Sequence, residues 1–206
     1  PGLEAADLAI AHWAYRAEVL EFGEPGGMMD QFSSSLGGLV SIDCAPPPRA
    51  LPLRTQTLAG FVLADSGEPK DTMAVLTRAR GAAEGAIAAL TALQPDFDLR
   101  AARPEGLAPA LGCLPQDQAR ALQAQLHNWR ITRQARSALE AGDLGAEALG
   151  RLLNQHHACL RDGLGVSTPR LEALIRCARS AGALGAKVTG SGGGGCLIAY
   201  APGRQD

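Results

Sequence analysis

Lys187-Val188-Thr189-Gly190-Ser191-Gly192-Gly193-Gly194-Gly195-Cys196-Leu197-Ile198-Ala199-Tyr200 is the stretch on which the fold turns. Apolar, β-prone residues stand on both sides of a glycine tract, so the reading is strand, loop, strand. Between Thr189 and Gly195, six of seven residues are Gly or Ser. Glycine permits positive φ and close backbone approach, and a concave run of amide donors suits a phosphate. Two familiar phosphate loops do not apply. A GxxxxGK[ST] loop needs a Lys-Ser or Lys-Thr pair opening a helix, and a dinucleotide fingerprint also leads into a helix. Here Cys196 to Tyr200 continues as a strand. A flexible hairpin without a ligand is the alternative.

Working outward, Pro169 sits at a first helical turn behind Ser167 or Thr168 as cap, and that helix ends at Gly182. Residues 146–160, 116–140 and a run from Lys70 through Leu90 have helical periodicity. Asp71 or Ser66 is available to cap the last of these. Residues 95–115 read as loop or short helix. Phe61-Val62-Leu63-Ala64 reads as a buried strand. Four prolines between Ala45 and Pro52 exclude a helix or a central strand and mark a candidate domain boundary. Leu39 to Asp43 is β-prone, Met28 to Leu36 is helical, and Leu8, Ala11, Tyr15 and Val19 place an amphipathic helix over 3–21. Strands and helices mix without strict alternation, which predicts an α+β fold.

The chain has 206 residues, a formal charge of -2 and 4% aromatics. The balanced charge gives no argument for nucleic acid or an anionic membrane, and the aromatics are too few for base stacking. Neither partner is expected, and the oligomeric state is open. The five cysteines, Cys44, Cys113, Cys159, Cys177 and Cys196, show no CxxC or Cys/His metal spacing. They are expected to be reduced and packed as small hydrophobes in a cytoplasmic protein, with no metal ligands assigned.

A second segment carries chemistry. Asp30 follows Gly26 and Gly27 and opens the run Gln31-Phe32-Ser33-Ser34-Ser35-Leu36. Alone, it is an acid in a first helical turn, complementing the helix dipole. The glycines before it would let a ligand approach the backbone. Lys70, in the polar turn Asp65–Thr72, reads as a solvated lysine at a capped helix start. His127, Arg130 and Arg133 read as surface or packing residues. His156 and His157 diverge by about 100° on a helix and are poor co-ligands.

Taken together, these segments resemble the GHMP kinase superfamily. Pro25-Gly26-Gly27-Met28-Met29-Asp30-Gln31-Phe32 is similar to the galactokinase segment that carries the catalytic aspartate. Lys187 through Cys196 is similar to the third GHMP motif, in a form close to that of mevalonate kinases. Asn154-Gln155-His156-His157 and Gly165-Val166-Ser167-Thr168-Pro169 resemble the helix and loop before that motif. The resemblance implies ATP-dependent phosphoryl transfer to a sugar hydroxyl, with Mg2+, as in galactokinases. Asp30 would activate the hydroxyl, Gly26 and Gly27 would lie against the substrate, Gly190, Ser191, Gly192, Gly193 and Gly194 would border the ATP phosphates, and Lys70 would be within reach of a phosphate or the sugar. Residues 1–54 would close a ribosomal S5 domain 2-like N-terminal domain. Residues 55–206 would form most of a ferredoxin-like α/β sandwich. The family's first and second motifs have no counterpart here, so an internal fragment, itself inactive, is expected. A mevalonate kinase-like or other GHMP small-molecule kinase, and a sugar-binding regulator without catalysis, are the alternatives.

Overall fold

The structure, a computed structural model, describes residues 6–23, 26–45, 48–53, 58–99, 101–102 and 104–203. It has the α+β architecture read from the sequence and divides into two compact units, Pro1–Thr57 with Ala138–Asp143, and Leu58–Ser137 with Leu144–Asp206.

In the first unit, helix α1 (Asp7–Tyr15) runs on as a π-helical turn, Arg16–Leu20, and helix α2 (Met29–Leu36) packs against it. Ala11, Met28 and Phe32 form the core, with Tyr15, Ile42 and Ala50 around them. Phe32 is fully buried and meets the His12 ring edge-on at 4.9 Å. Strands β1 (Val40–Asp43) and β2 (Arg49–Pro52) pair antiparallel, Ser41 opposite Leu51. The proline-rich segment therefore does hold a strand. Pro52 is tolerated because a two-stranded sheet has only edges.

The second unit is built on a three-stranded antiparallel sheet ordered β3 (Phe61–Asp65), β5 (Cys196–Tyr200), β4 (Gly185–Val188). Ile198 pairs with Leu63 on one side and Lys187 on the other. Alternation puts Ala186, Val188, Leu197 and Ala199 on one face, against Leu171 and Ile175 of helix α7 (Pro169–Ser180). Helix α6 (Ala146–Ala158) flanks β4 so closely that a side chain at Gly150 would strike Leu184, just before the strand, and one at Gly185 would strike the Gly150 backbone. Asn154 then serves as a substitute strand. Its amide donates to the Leu184 carbonyl (3.0 Å) and accepts from the Ala186 N–H (3.1 Å), satisfying backbone groups on the open edge of β4.

Three helices, α3 (Thr72–Leu93), α4 (Pro104–Leu111) and α5 (Gln116–Ala141), share a second core of Ala86, Leu90, Leu107, Leu111, Leu122 and Leu126. Burying each such leucine side chain is worth about 1.5–3 kcal/mol. Asp71 caps α3 by accepting from the Ala74 N–H at 2.9 Å, and Thr168 caps α7.

Two expectations need correction. Strand β3 is present but not buried: Phe61, Val62 and Leu63 are 43%, 49% and 66% exposed, because β3 is an edge strand of its sheet. The cysteines are free, but Cys44, Cys113 and Cys177 are exposed and none is fully buried. Local apolar neighbours do not fix which side of an element faces the core.

Candidate active site

Strands β4 and β5 are joined by the glycine tract. Gly190, Gly192, Gly193, Gly194 and Gly195 all adopt positive φ, between 70° and 126°. Packing requires glycine independently of φ. A Cβ on Gly192 would collide with the Val166 carbonyl oxygen, one on Gly193 would lie 2.5 Å from Val75 Cγ2, and one on Gly194 would lie 2.9 Å from the Glu68 and Pro69 carbonyl oxygens. The tract is thus held between the loop before α3 and the loop before α7. Gly193 donates its N–H to the Val166 carbonyl (2.7 Å) and Gly195 donates to the Glu68 carbonyl (3.2 Å), while the Ser66 N–H donates to the Gly195 carbonyl (2.9 Å). Two of the tract's amides are therefore used to fasten the loop. Those of Gly190, Ser191, Gly192 and Gly194 have no acceptor among the described residues. A loop with unpaired donors and no side chains in the way can receive an anion.

Lys70 lies beside this loop. A Cβ on Gly190 would be 3.5 Å from Lys70 Nζ, and one on Gly195 would be 3.2 Å from its Cδ. The lysine stem follows the tract. Nothing local to residues 65–72 showed this, since it depends on the fold bringing the α3 start to the hairpin.

The flanking loop is fixed by the cap residue Thr168 and by contacts of Glu68, Ser167 and Glu172 that the sequence did not show. Thr168 Oγ1 donates to Glu68 Oε2 (2.5 Å) and accepts from the Leu171 N–H (3.2 Å), linking the α7 cap to the loop that contacts Gly194. Glu172 accepts from Ser167 Oγ (2.5 Å) and meets His157 Nε2 (2.8 Å), with Arg161 at 3.6 Å. Burial pushes the Glu172 carboxyl up, but hydrogen bonds from Ser167 and His157 and the nearby positive charges hold it below the usual range. His157 thereby faces Glu172 while its Nδ1 is buried without a partner. Burial first, then the charges of Lys187 and His157, lowers the pKa of neighbouring His156 from 6.5 to about 4. Burial lowers Lys187, at the entrance to the tract, to about 8, and its ammonium donates to the Val188 carbonyl at 2.7 Å.

In the other unit, Asp30 is the second residue of α2 and is exposed. Its carboxylate makes no hydrogen bond or ion pair among the described residues. The helix is oriented by its neighbours: Phe32 is buried in the core, and buried Gln31 donates to Glu18 Oε2 at 2.6 Å. Asp30 is left outward. Gly27 has open space where a side chain would stand, and Gly26 faces Val19 at 3.4 Å. Pro25 lies outside the described residues. Gly26, Gly27 and Asp30 fall in the first unit, the glycine tract and Lys70 in the second.

Among the described residues, no group of three or more His, Cys, Asp or Glu could hold a metal ion. No helix there is long and apolar enough to cross a membrane. His127, Arg130 and Arg133 are exposed along α5.

The chain is similar to known proteins in sequence and fold. Residues 135–206 match the family model described as GHMP kinases C terminal. A mevalonate kinase of Thermococcus gammatolerans is 32% identical over 207 residues, covering 99% of this chain and 51% of that protein. A galactokinase of Roseiflexus sp. is 34% identical over 197 residues, covering 92% and 49%. Among solved structures, Lactococcus lactis galactokinase complexed with galactose superposes with a TM-score of 0.74 at 24% identity, over 96% of this chain and 52% of that one. The chain spans about half the length of these relatives.

Proposed function

From a chain that carries a GHMP kinase C-terminal domain over residues 135–206 and has mevalonate kinase and galactokinase homologues, we propose an ATP-dependent kinase that phosphorylates a sugar hydroxyl, of galactokinase type. In this reading residues 1–54 end the N-terminal domain, residues 55–206 form the C-terminal domain, and the complete protein carries the activity.

One observation carries the reading: a hairpin with no room for side chains at Gly192, Gly193 and Gly194 and whose amides at Gly190, Ser191, Gly192 and Gly194 are unpaired among the described residues. These residues, with Gly193, border the phosphates of ATP. Most of the rate gain in phosphoryl transfer comes from positioning and from stabilising charge on the transferred group. ATP supplies the phosphoryl group; the chain holds its phosphates and aligns the acceptor. Asp30 receives or orients the acceptor hydroxyl proton, which its exposed, unpaired carboxylate can do. A carboxylate is a weak base, so orientation is the larger part of its role. Gly26 and Gly27 let the acceptor lie against the backbone. Mg2+ is expected to accompany ATP, and no step is assigned to protein ligands for it.

The Gly-Met-Met-Asp-Gln run at Gly27 to Gln31 supports a sugar acceptor. A second reading, mevalonate as acceptor, draws on the mevalonate kinase that aligns over 99% of the chain. Incubating the complete protein with ATP and a panel of hexoses and mevalonate separates them. Phosphorylation of a hexose is expected. Turnover of mevalonate alone would replace the sugar reading, and ATP turnover with neither class would set both aside.

A further inference from the structure

We propose that Lys70 is a phosphate-contacting residue of the nucleotide site, supplying a positive charge that the glycine loop lacks. The proposal rests on the kinase reading and assigns a side chain to it.

Three observations carry it. First, the loop is half committed: the Gly193 and Gly195 amides are bonded to Val166 and Glu68, so neutral donors at Gly190, Ser191, Gly192 and Gly194 are what it can offer an anion. Backbone amides alone leave a polyphosphate's charge largely unneutralised. Second, the lysine lies on the loop instead of extending away from it. Its Nζ is 3.5 Å from a Cβ position at Gly190 and 3.6 Å from one at Gly195. The two glycines leave the stem and its ammonium room where side chains would stand. Third, the ammonium has no competing partner. Among the described residues Lys70 makes no ion pair. The acids around it are occupied: Asp65 accepts from the Gly67 N–H (3.0 Å), Glu68 from Thr168 Oγ1 (2.5 Å) and Asp71 from the Ala74 N–H (2.9 Å). Lys70 is therefore a cation without an ion-pair partner among the described residues, held against a donor loop, an arrangement that fits an anion of high charge density.

The test is nucleotide binding by the complete protein, measured by calorimetry for ATP, ADP and adenosine, with Lys70→Met and Lys70→Arg. Methionine keeps most of the stem and removes the charge. Lys70→Met is expected to weaken ATP and ADP about tenfold to a hundredfold, the size of one charged hydrogen bond. Adenosine binding and the acceptor KM stay unchanged, and Lys70→Arg retains most of the affinity. ATP affinity equal to that of the unmodified protein would overturn the proposal, as would an equal loss for adenosine, which would mark a structural role. If the unmodified protein binds and turns over ATP while Lys70→Met binds equally well, only the Lys70 assignment falls. If the unmodified protein binds no nucleotide, the kinase reading falls with it.

Discussion

His156 and Lys187 are two bases placed where burial opposes their charge, beside the strand that feeds the glycine tract. Their titration has a definite sign. An unfolded chain protonates His156 near 6.5, the folded chain only at about 4. Between those values the unfolded state binds more protons, so stability rises with pH and is lost on acidification. Lys187 gives the same sign in its own window, from about 8 to 10.5. Glu172, whose carboxyl is held low, contributes stability above its ordinary value of 4.5 that is lost as the pH falls through its folded value. The thermal midpoint of the complete protein should therefore fall between pH 6.5 and 4.5, and His156→Gln should remove much of that fall. An unchanged slope in His156→Gln would refute this account of the histidine. At this scale the sequence was uneven. Asp30 could be singled out because its meaning is local: a carboxylate beside glycines at a helix start. The Glu172 and Thr168 contacts could not, since Thr168 meets Glu68 only after the chain has folded across 100 positions. Lys70 was visible as a candidate but looked solvated for the same reason.

At the scale of elements, periodicity located most helices and strands, and caps at Asp71 and Thr168 fell where short polar side chains precede apolar runs. Burial was less legible. Phe61, Val62 and Leu63 look like an interior strand, yet their sheet leaves them exposed at its edge. Proline content excluded a helix or a central strand there, and β2 is an edge strand. The hairpin tract was legible as a loop, while the reason for each glycine was not: Gly193 is required by Val75 and Gly194 by the carbonyls of Glu68 and Pro69. Gly193→Ala should accordingly destabilise the protein by about 1–3 kcal/mol through overpacking and strain at positive φ, and should weaken ATP binding. Denaturant unfolding with and without ATP measures both. A variant as stable as the parent, with unaltered affinity, would mean that Val75 and the hairpin give way freely.

At the scale of the molecule, the two units carry complementary chemistry. Among the described residues, one presents an unpaired carboxylate on a helix anchored by buried Gln31 and Phe32, the other a loop of unpaired amides with a lysine along it. Each half is ordinary alone. An acid in a first helical turn complements a dipole, and a glycine hairpin closes a sheet. Their occurrence in one chain that aligns with mevalonate kinase and galactokinase homologues is the basis of the phosphoryl-transfer proposal. The general fold class followed from the mixture of strands and helices; the acceptor did not, because one carboxylate and two glycines leave the shape of the substrate open. The most direct measurement of the central claim is turnover by the complete protein carrying Asp30→Asn, with ATP and its best acceptor. The account predicts a kcat lower by about 10²–10⁴-fold with ATP affinity retained. Turnover equal to that of the unmodified protein would contradict it.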